Sequence, residues 1–205
     1  MARTPSTMIE LGTPCPDFDL PDTAGNRVRR DDFADAPALL VATICNHCPF
    51  VVHIRAGLAD FARTYTARGL AIVALNANDA ATHPDDAPET MAAEAAAAGY
   101  VFPYLHDATQ QVARALGAAC TPDFFLYGPV EPGPTQGEPG IRTLIYRGQF
   151  DTSRPGNGKP VTGADLRAAC DAALTGAPPI AEQWPSLGCN IKWKPGNEPL
   201  THLYA

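Results

Sequence analysis

One segment constrains this chain more than any other. Residues 38–44, Ala-Leu-Leu-Val-Ala-Thr-Ile, are apolar almost throughout and run directly into Cys45-Asn46-His47-Cys48-Pro49. A short continuous apolar run reads as a strand buried on both faces. After the cysteines the period changes: Val51, Ile54, Leu58, Phe61 and Tyr65 recur at three- and four-residue steps until Gly69, the pattern of a helix with one apolar stripe and a glycine stop. Residues 70–75 return to the apolar run. Strand, helix and strand in this order predict a βαβ unit with a right-handed crossover and a C-x-x-C motif at its strand-to-helix junction.

That position gives the cysteines a chemical reading. The first N–H groups of a helix are unpaired and carry the positive end of the macrodipole, which favours a thiolate. The spacing therefore predicts Cys45 as an attacking thiolate and Cys48, one turn on, as the thiol that resolves a mixed disulfide. His47, when protonated, stabilises the charge further. C-x-x-C is also half of a zinc site, but zinc usually takes four ligands, and the sequence has no second C-x-x-C and no H-x₃-H partner. The motif calls for no cofactor and no metal. A copper- or zinc-binding module built on Cys45, Cys48 and a histidine stays as an alternative, because soft thiolates suit Cu(I).

The rest of the chain fits one α/β domain over residues 1–205, with its core at about 8–175 and an irregular tail from 176. Residues 11–33 read as an N-terminal hairpin around the turn Asp22-Thr23-Ala24-Gly25-Asn26. A helix is expected from Asp86, with Glu89 completing a capping box and Gly99 ending it. A strand at 101–105 and a short helix at 109–116 should follow. Residues 123–127 and 141–146 read as paired strands joined by a Pro/Gly-rich loop at 128–140, and a last helix begins near Thr162. The tail, with Trp184, Cys189 and Trp193, shows no periodicity and is expected to wrap the domain, since two tryptophans are costly to leave in water.

Composition narrows the function. The net charge of −7 and the lack of a basic stripe argue against nucleic acid and against an anionic membrane surface. No apolar run is long enough to cross a bilayer, and residues 1–10 lack the apolar centre of a signal peptide. A cytoplasmic location follows as the expectation, and under reducing conditions six cysteines are not expected to form a disulfide framework.

Cys120-Thr121-Pro122 precedes the strand at 123–127. A proline there is either an edge feature or a cis proline at a tight, functionally placed turn. With the second reading Cys120 lies close to Cys45, as a third redox thiol or as a small core residue. Cys189 can resolve a sulfenic acid at Cys45 or be inert under the tail. Cys170 lies on an inner helix stripe and reads as packing, and Cys15 needs no function. His53 and Arg55 read as solvated surface. His83, His106 and His202 are isolated, Lys192 and Lys194 read as a solvated pair, and Asn76, Asn78 and Asp79 suit capping and turns at a ligand-binding strand edge.

The chain resembles the thioredoxin superfamily, and within it the alkyl hydroperoxide reductase/thiol-specific antioxidant (peroxiredoxin-like) group. The matching residues are Leu11-Gly12-Thr13-Pro14-Cys15-Pro16-Asp17-Phe18-Asp19-Leu20, Cys45-Asn46-His47-Cys48-Pro49, Cys120-Thr121-Pro122-Asp123-Phe124-Phe125 and Tyr146-Arg147-Gly148. Gly188-Cys189-Asn190-Ile191-Lys192-Trp193-Lys194 resembles the ending of an uncharacterised bacterial branch with the C-N-H-C-P motif. The resemblance implies a thioredoxin fold with a central mixed sheet flanked by helices. It makes Cys45 the attacking and Cys48 the resolving cysteine, Pro122 the cis proline, and Thr121 the residue whose backbone docks substrate. Two activities follow: dithiol exchange with a disulfide-bearing protein or small thiol, or reduction of a hydroperoxide, each needing an electron-donating reductase. Peroxiredoxins keep a Thr three residues before the peroxidatic cysteine; Ala42 holds that place before Cys45, and Cys45 holds it before Cys48. They also keep an Arg near the position of Thr121-Pro122.

Overall fold

The computed structural model describes residues 3–133 and 140–198. Ten strands and four α-helices follow along the described residues. They are β1 (Arg3–Pro5), β2 (Asp19–Pro21), β3 (Arg27–Arg29), β4 (Leu39–Thr43), α1 (Pro49–Thr66), β5 (Ala71–Asn76), α2 (Pro88–Ala98) and β6 (Tyr104–His106), then α3 (Gln111–Ala115), β7 (Cys120–Thr121), β8 (Asp123–Tyr127), β9 (Leu144–Gly148), α4 (Ala164–Thr175) and β10 (Leu187–Asn190). The central sheet has the order β6-β5-β4-β8-β9. β4, β5 and β6 run parallel, and β8 and β9 run antiparallel to their neighbours.

The centre of this sheet explains why 38–44 carries no polar alternation. All five residues of β4 are buried. Leu40 and Ala42 face a core shared with Ile54, Leu58 and Phe61 of α1 and Leu166 of α4. Leu39 and Val41 face a second core with Phe18, Val112, Leu116 and Ile191. A strand covered on both faces has no solvent side. Each fully buried Leu or Phe contributes about 1.5–3 kcal/mol. α1 buries Val51, Ile54, Leu58, Phe61 and Tyr65, the stripe read from the sequence.

The N-terminal hairpin forms as β2 and β3, and the Asp22 carboxylate accepts the N–H groups of Ala24 and Asn26 in the turn. Four elements differ from the sequence reading. α2 begins at Pro88 behind Ala87, with no side-chain cap, because the Asp86 carboxylate is engaged elsewhere. α4 begins at Ala164, two residues beyond Thr162, whose hydroxyl accepts Ala164 N. β6 starts only after Pro103. β9 starts at Leu144, since Thr143 bridges to Pro14 and Ile141 to Glu131.

The largest difference is the tail. Its described residues carry a strand: β10 pairs antiparallel with β1 on one side and β7 on the other. Neither short strand has a period to read, since their partners lie far away in sequence. Trp193 packs on the second core, but Trp184 is 54% exposed, so burial of both tryptophans is not what orders the tail; backbone pairing is. His202 and residues 134–139 of the predicted loop lie outside the described residues. Among the described residues no helix is long and apolar enough to cross a membrane.

Candidate active site

The chain leaves β4 at Thr43, makes one more sheet bond from Ile44 N to Leu75 O, and enters α1 at Pro49. Cys48, not Cys45, is therefore the N-cap residue, in extended conformation, with Pro49 at the first helical position where its missing N–H costs nothing. Cys45 and Cys48 are both buried, 2% and 0% exposed. Thr121 faces them from the opposite side, and the Thr121–Pro122 peptide is cis. Its hydroxyl lies 3.3 Å from Cys45 Sγ, and its carbonyl accepts the Cys48 thiol at 3.1 Å. Thr43 is turned away, its hydroxyl donating to Cys120 O.

The two sulfurs share protons unequally. The Cys45 thiol donates to Cys48, and that bond, with burial and the Asp86 charge, pushes Cys45 well above the ordinary thiol range. Cys48 is drawn down to about 4. The Cys45 donor contributes most; the Cys189 thiol and the N–H groups of Val51 and Cys189 add to it, against the opposing effect of burial. The helix begins one turn beyond Cys45, so Cys48 is the sulfur nearest the positive end of the dipole.

Asp86 is the residue that sequence reasoning missed. It is 0% exposed, just after β5 and before α2. Its Oδ1 accepts Asn46 N at 2.8 Å and Asn76 Nδ2 at 3.1 Å; its Oδ2 accepts Asn78 Nδ2 at 2.8 Å. His47 Nδ1 lies 2.7 Å from Oδ2, a contact of charge partners in which the ring N–H is not aimed at the oxygen. Asn76 and Asn78 thus serve as the cradle of Asp86 as well as in turn duty, where Asn76 Oδ1 accepts Asn78 N. The signal in the sequence was the Asn76/Asn78 pair at the end of a parallel strand, where α/β sheets place their sites. Cys45 Sγ, His47 Nδ1 and an Asp86 oxygen lie within 4.8 Å of one another, a spacing that a metal ion also uses. Both Asp86 oxygens already accept donors, so the trio fits proton sharing better than ligation.

His83 stacks on His47 with ring centroids 5.5 Å apart. His53 and Arg55 are not solvated surface: His53 bonds Ser153 at 2.8 Å and Arg55 pairs with Glu94 at 2.6 Å. Lys192 and Lys194 both turn their amines to backbone carbonyls, of Asn190 and Ala108. Cys120 and Cys170 are 0% exposed, and burial raises both thiols, as it does Cys15. Cys189, across the β7–β10 ladder from Thr121, is the one further cysteine that hydrogen-bonds a motif sulfur.

Comparison with known proteins now bears on this arrangement. The family model described as AhpC/TSA matches residues 11–148, more than half of the chain. The chain belongs to the AhpC/TSA family. Among solved structures, this AhpC/TSA protein is similar to a hypothetical protein from Sinorhizobium meliloti 1021, at 56% identity over 94% of this chain and 100% of that one, TM-score 0.87. It is equally close in shape to an uncharacterized conserved protein from Geobacillus kaustophilus, at 46% identity over 96% and 98% of the two chains, TM-score 0.88. Peroxidoxin BcpB from Mycobacterium tuberculosis shares the fold, at 16% identity over 82% and 97%, TM-score 0.52. The search of curated proteins finds no match. The fold is the thioredoxin fold, and membership of the AhpC/TSA family makes the protein a thiol oxidoreductase.

Proposed function

We propose that the protein is a dithiol–disulfide exchanger that uses Cys45 and Cys48. The observation that carries this reading is the placement of both sulfurs on one residue, Thr121, whose hydroxyl and carbonyl each meet one of them. One proton has two positions between the sulfurs. With the proton on Cys45, Cys48 holds the charge among its donors. With the proton on Cys48, that thiol donates to Thr121 O, and Cys45 becomes a thiolate that accepts the Thr121 hydroxyl.

The second state is the attacking one. Cys45 lies beside half-buried Asn46 and His47, whereas Cys48 is enclosed by Thr121, Cys189 and the first turn of α1. Cys45 Sγ forms a bond to one sulfur of the substrate disulfide, and the other sulfur leaves as a thiolate and takes a proton. Cys48 then gives up its proton and attacks Cys45 Sγ. The substrate's second sulfur leaves, and a Cys45–Cys48 disulfide remains for an electron-donating reductase to reduce. Asp86, which accepts Asn46 N, and His47 fix the loop that carries Cys45.

The test is exchange with a model protein disulfide under excess dithiol. The wild type should accelerate reduction. Cys45→Ser should abolish it, and Cys48→Ser should stall as a mixed disulfide on Cys45. Consumption of hydrogen peroxide without any acceleration of exchange would replace this reading with a thiol peroxidase.

A further inference from the structure

Cys48 has thiols on two sides. Cys45 donates to it across the motif, and Cys189 donates to it from the tail, through its thiol and its backbone N–H. The backbone fixes this second neighbour. Cys189 stands opposite Thr121 in the β10–β7 ladder, and Thr121 O is 3.1 Å from Cys48 Sγ. Gly188 permits the approach: a Cβ there would sit 2.0 Å from Thr121 O, so no other residue type lets β10 lie so close to the cis-proline turn. All six cysteines are reduced and buried, but Cys15 and Cys170 sit in hydrophobic cores and Cys120 points its sulfur at Pro122 O, 3.8 Å away.

We propose that Cys189 is a third redox thiol, and that Cys48 is a shared central sulfur able to bond either Cys45 or Cys189. The proposal rests on the dithiol reading above and deepens it. After substrate reduction has left the Cys45–Cys48 disulfide, Cys189 loses its proton and attacks Cys48 Sγ. A Cys48–Cys189 bond forms and the Cys45–Cys48 bond breaks. The electron pair goes to Cys45 Sγ, which takes up the released proton. No net oxidation occurs. The disulfide moves from the substrate face to the tail, and Cys45 is restored as a thiol while the protein still holds one oxidising equivalent.

The experiment is a disulfide map of the full chain. Fully reduced protein is oxidised with one equivalent of diamide, which takes two electrons and two protons per bond formed, then alkylated at intervals and digested for mass spectrometry. In the wild type, Cys45–Cys48 should appear first and Cys48–Cys189 should grow at its expense. In Cys45→Ser, Cys48–Cys189 should be the main product, with Cys120 alkylated throughout as the internal control. If Cys48 and Cys189 stay alkylatable in Cys45→Ser, and the wild type accumulates Cys45–Cys48 with no transfer, the relay is wrong and the dithiol reading stands. If the wild type forms no Cys45–Cys48 bond, the dithiol reading fails and takes the relay with it. The wild-type time course decides the matter even if the variant folds poorly.

Discussion

Asp86 shows how much one residue can hold in place. Three donors from two segments, the motif loop and the end of β5, converge on a carboxylate with no solvent contact, and His47 Nδ1 lies 2.7 Å from it. Asp86→Asn keeps the shape but turns an NH₂ towards groups that are themselves donors. An unsatisfied buried donor costs about 1–3 kcal/mol, and the variant should lose about that much in a denaturant titration. Cys48 adds a pH dependence. Its thiol falls from 9.0 unfolded to about 4 folded, so between those values the unfolded chain binds the extra proton. Stability of the reduced protein should therefore rise as pH increases from about 4, be complete above about 9, and be lost as pH falls through 4. Cys45 is raised above 9.0, so it titrates outside that window. Unfolding curves of wild type and Cys48→Ser under reductant should diverge from pH 5 to 8 and converge at pH 4; parallel curves would remove the thiolate from Cys48. Neither residue was fully legible beforehand. The C-x-x-C motif marked the chemistry, but which cysteine caps the helix depends on one turn of backbone, and Asp86 carried an equally good local reading as a capping box.

Long elements with strong periods read well, and short ones defined by remote partners did not. β4, α1 and β5 were visible because each carries its own signal, a continuous apolar run in the strands and an apolar stripe in the helix. β1, β7 and β10 have two to four residues each, and their hydrogen bonds cross most of the chain, so no window of sequence contains the pattern. β10 also has a packing requirement that is visible only in three dimensions. Gly188→Ala must push β10 off Thr121 O, and overpacking of this kind costs about 1–3 kcal/mol. The variant should unfold at lower denaturant, and Cys48 should be alkylated faster in the native state, because the Cys189 side of its shell opens. Unchanged alkylation would mean that β10 does not shield the motif.

Across the whole molecule, the sheet and its two cores form the scaffold, and the β1-β10-β7 sheet closes one flank of the dithiol. A chain ending before Leu187 loses the partner of both β1 and β7 and uncovers Cys48 and Cys120, while the five central strands keep their pairing. It should retain helical and strand circular dichroism at a lower melting temperature. Native-state labelling with a maleimide should rise from slow in the full chain to rapid at Cys48. If the truncated chain labels as slowly as the full one, the flank is closed by something other than the tail. The thioredoxin fold was readable from the motif and its flanks; the closing flank was not, because it pairs strands that lie far apart in the sequence.

The pairing of β1 with β10 also sets an order of events in time. On the ribosome, Cys45 and Cys48 emerge with the scaffold strands long before Cys189 is synthesised. The nascent protein can settle its dithiol loop while the strand that encloses Cys48 is still inside the exit tunnel. Until β10 emerges, Cys48 lacks one of its donors and one of its walls. The newborn molecule is thus more open to the thiols around it than the folded one, and the arrival of β10 shuts the site.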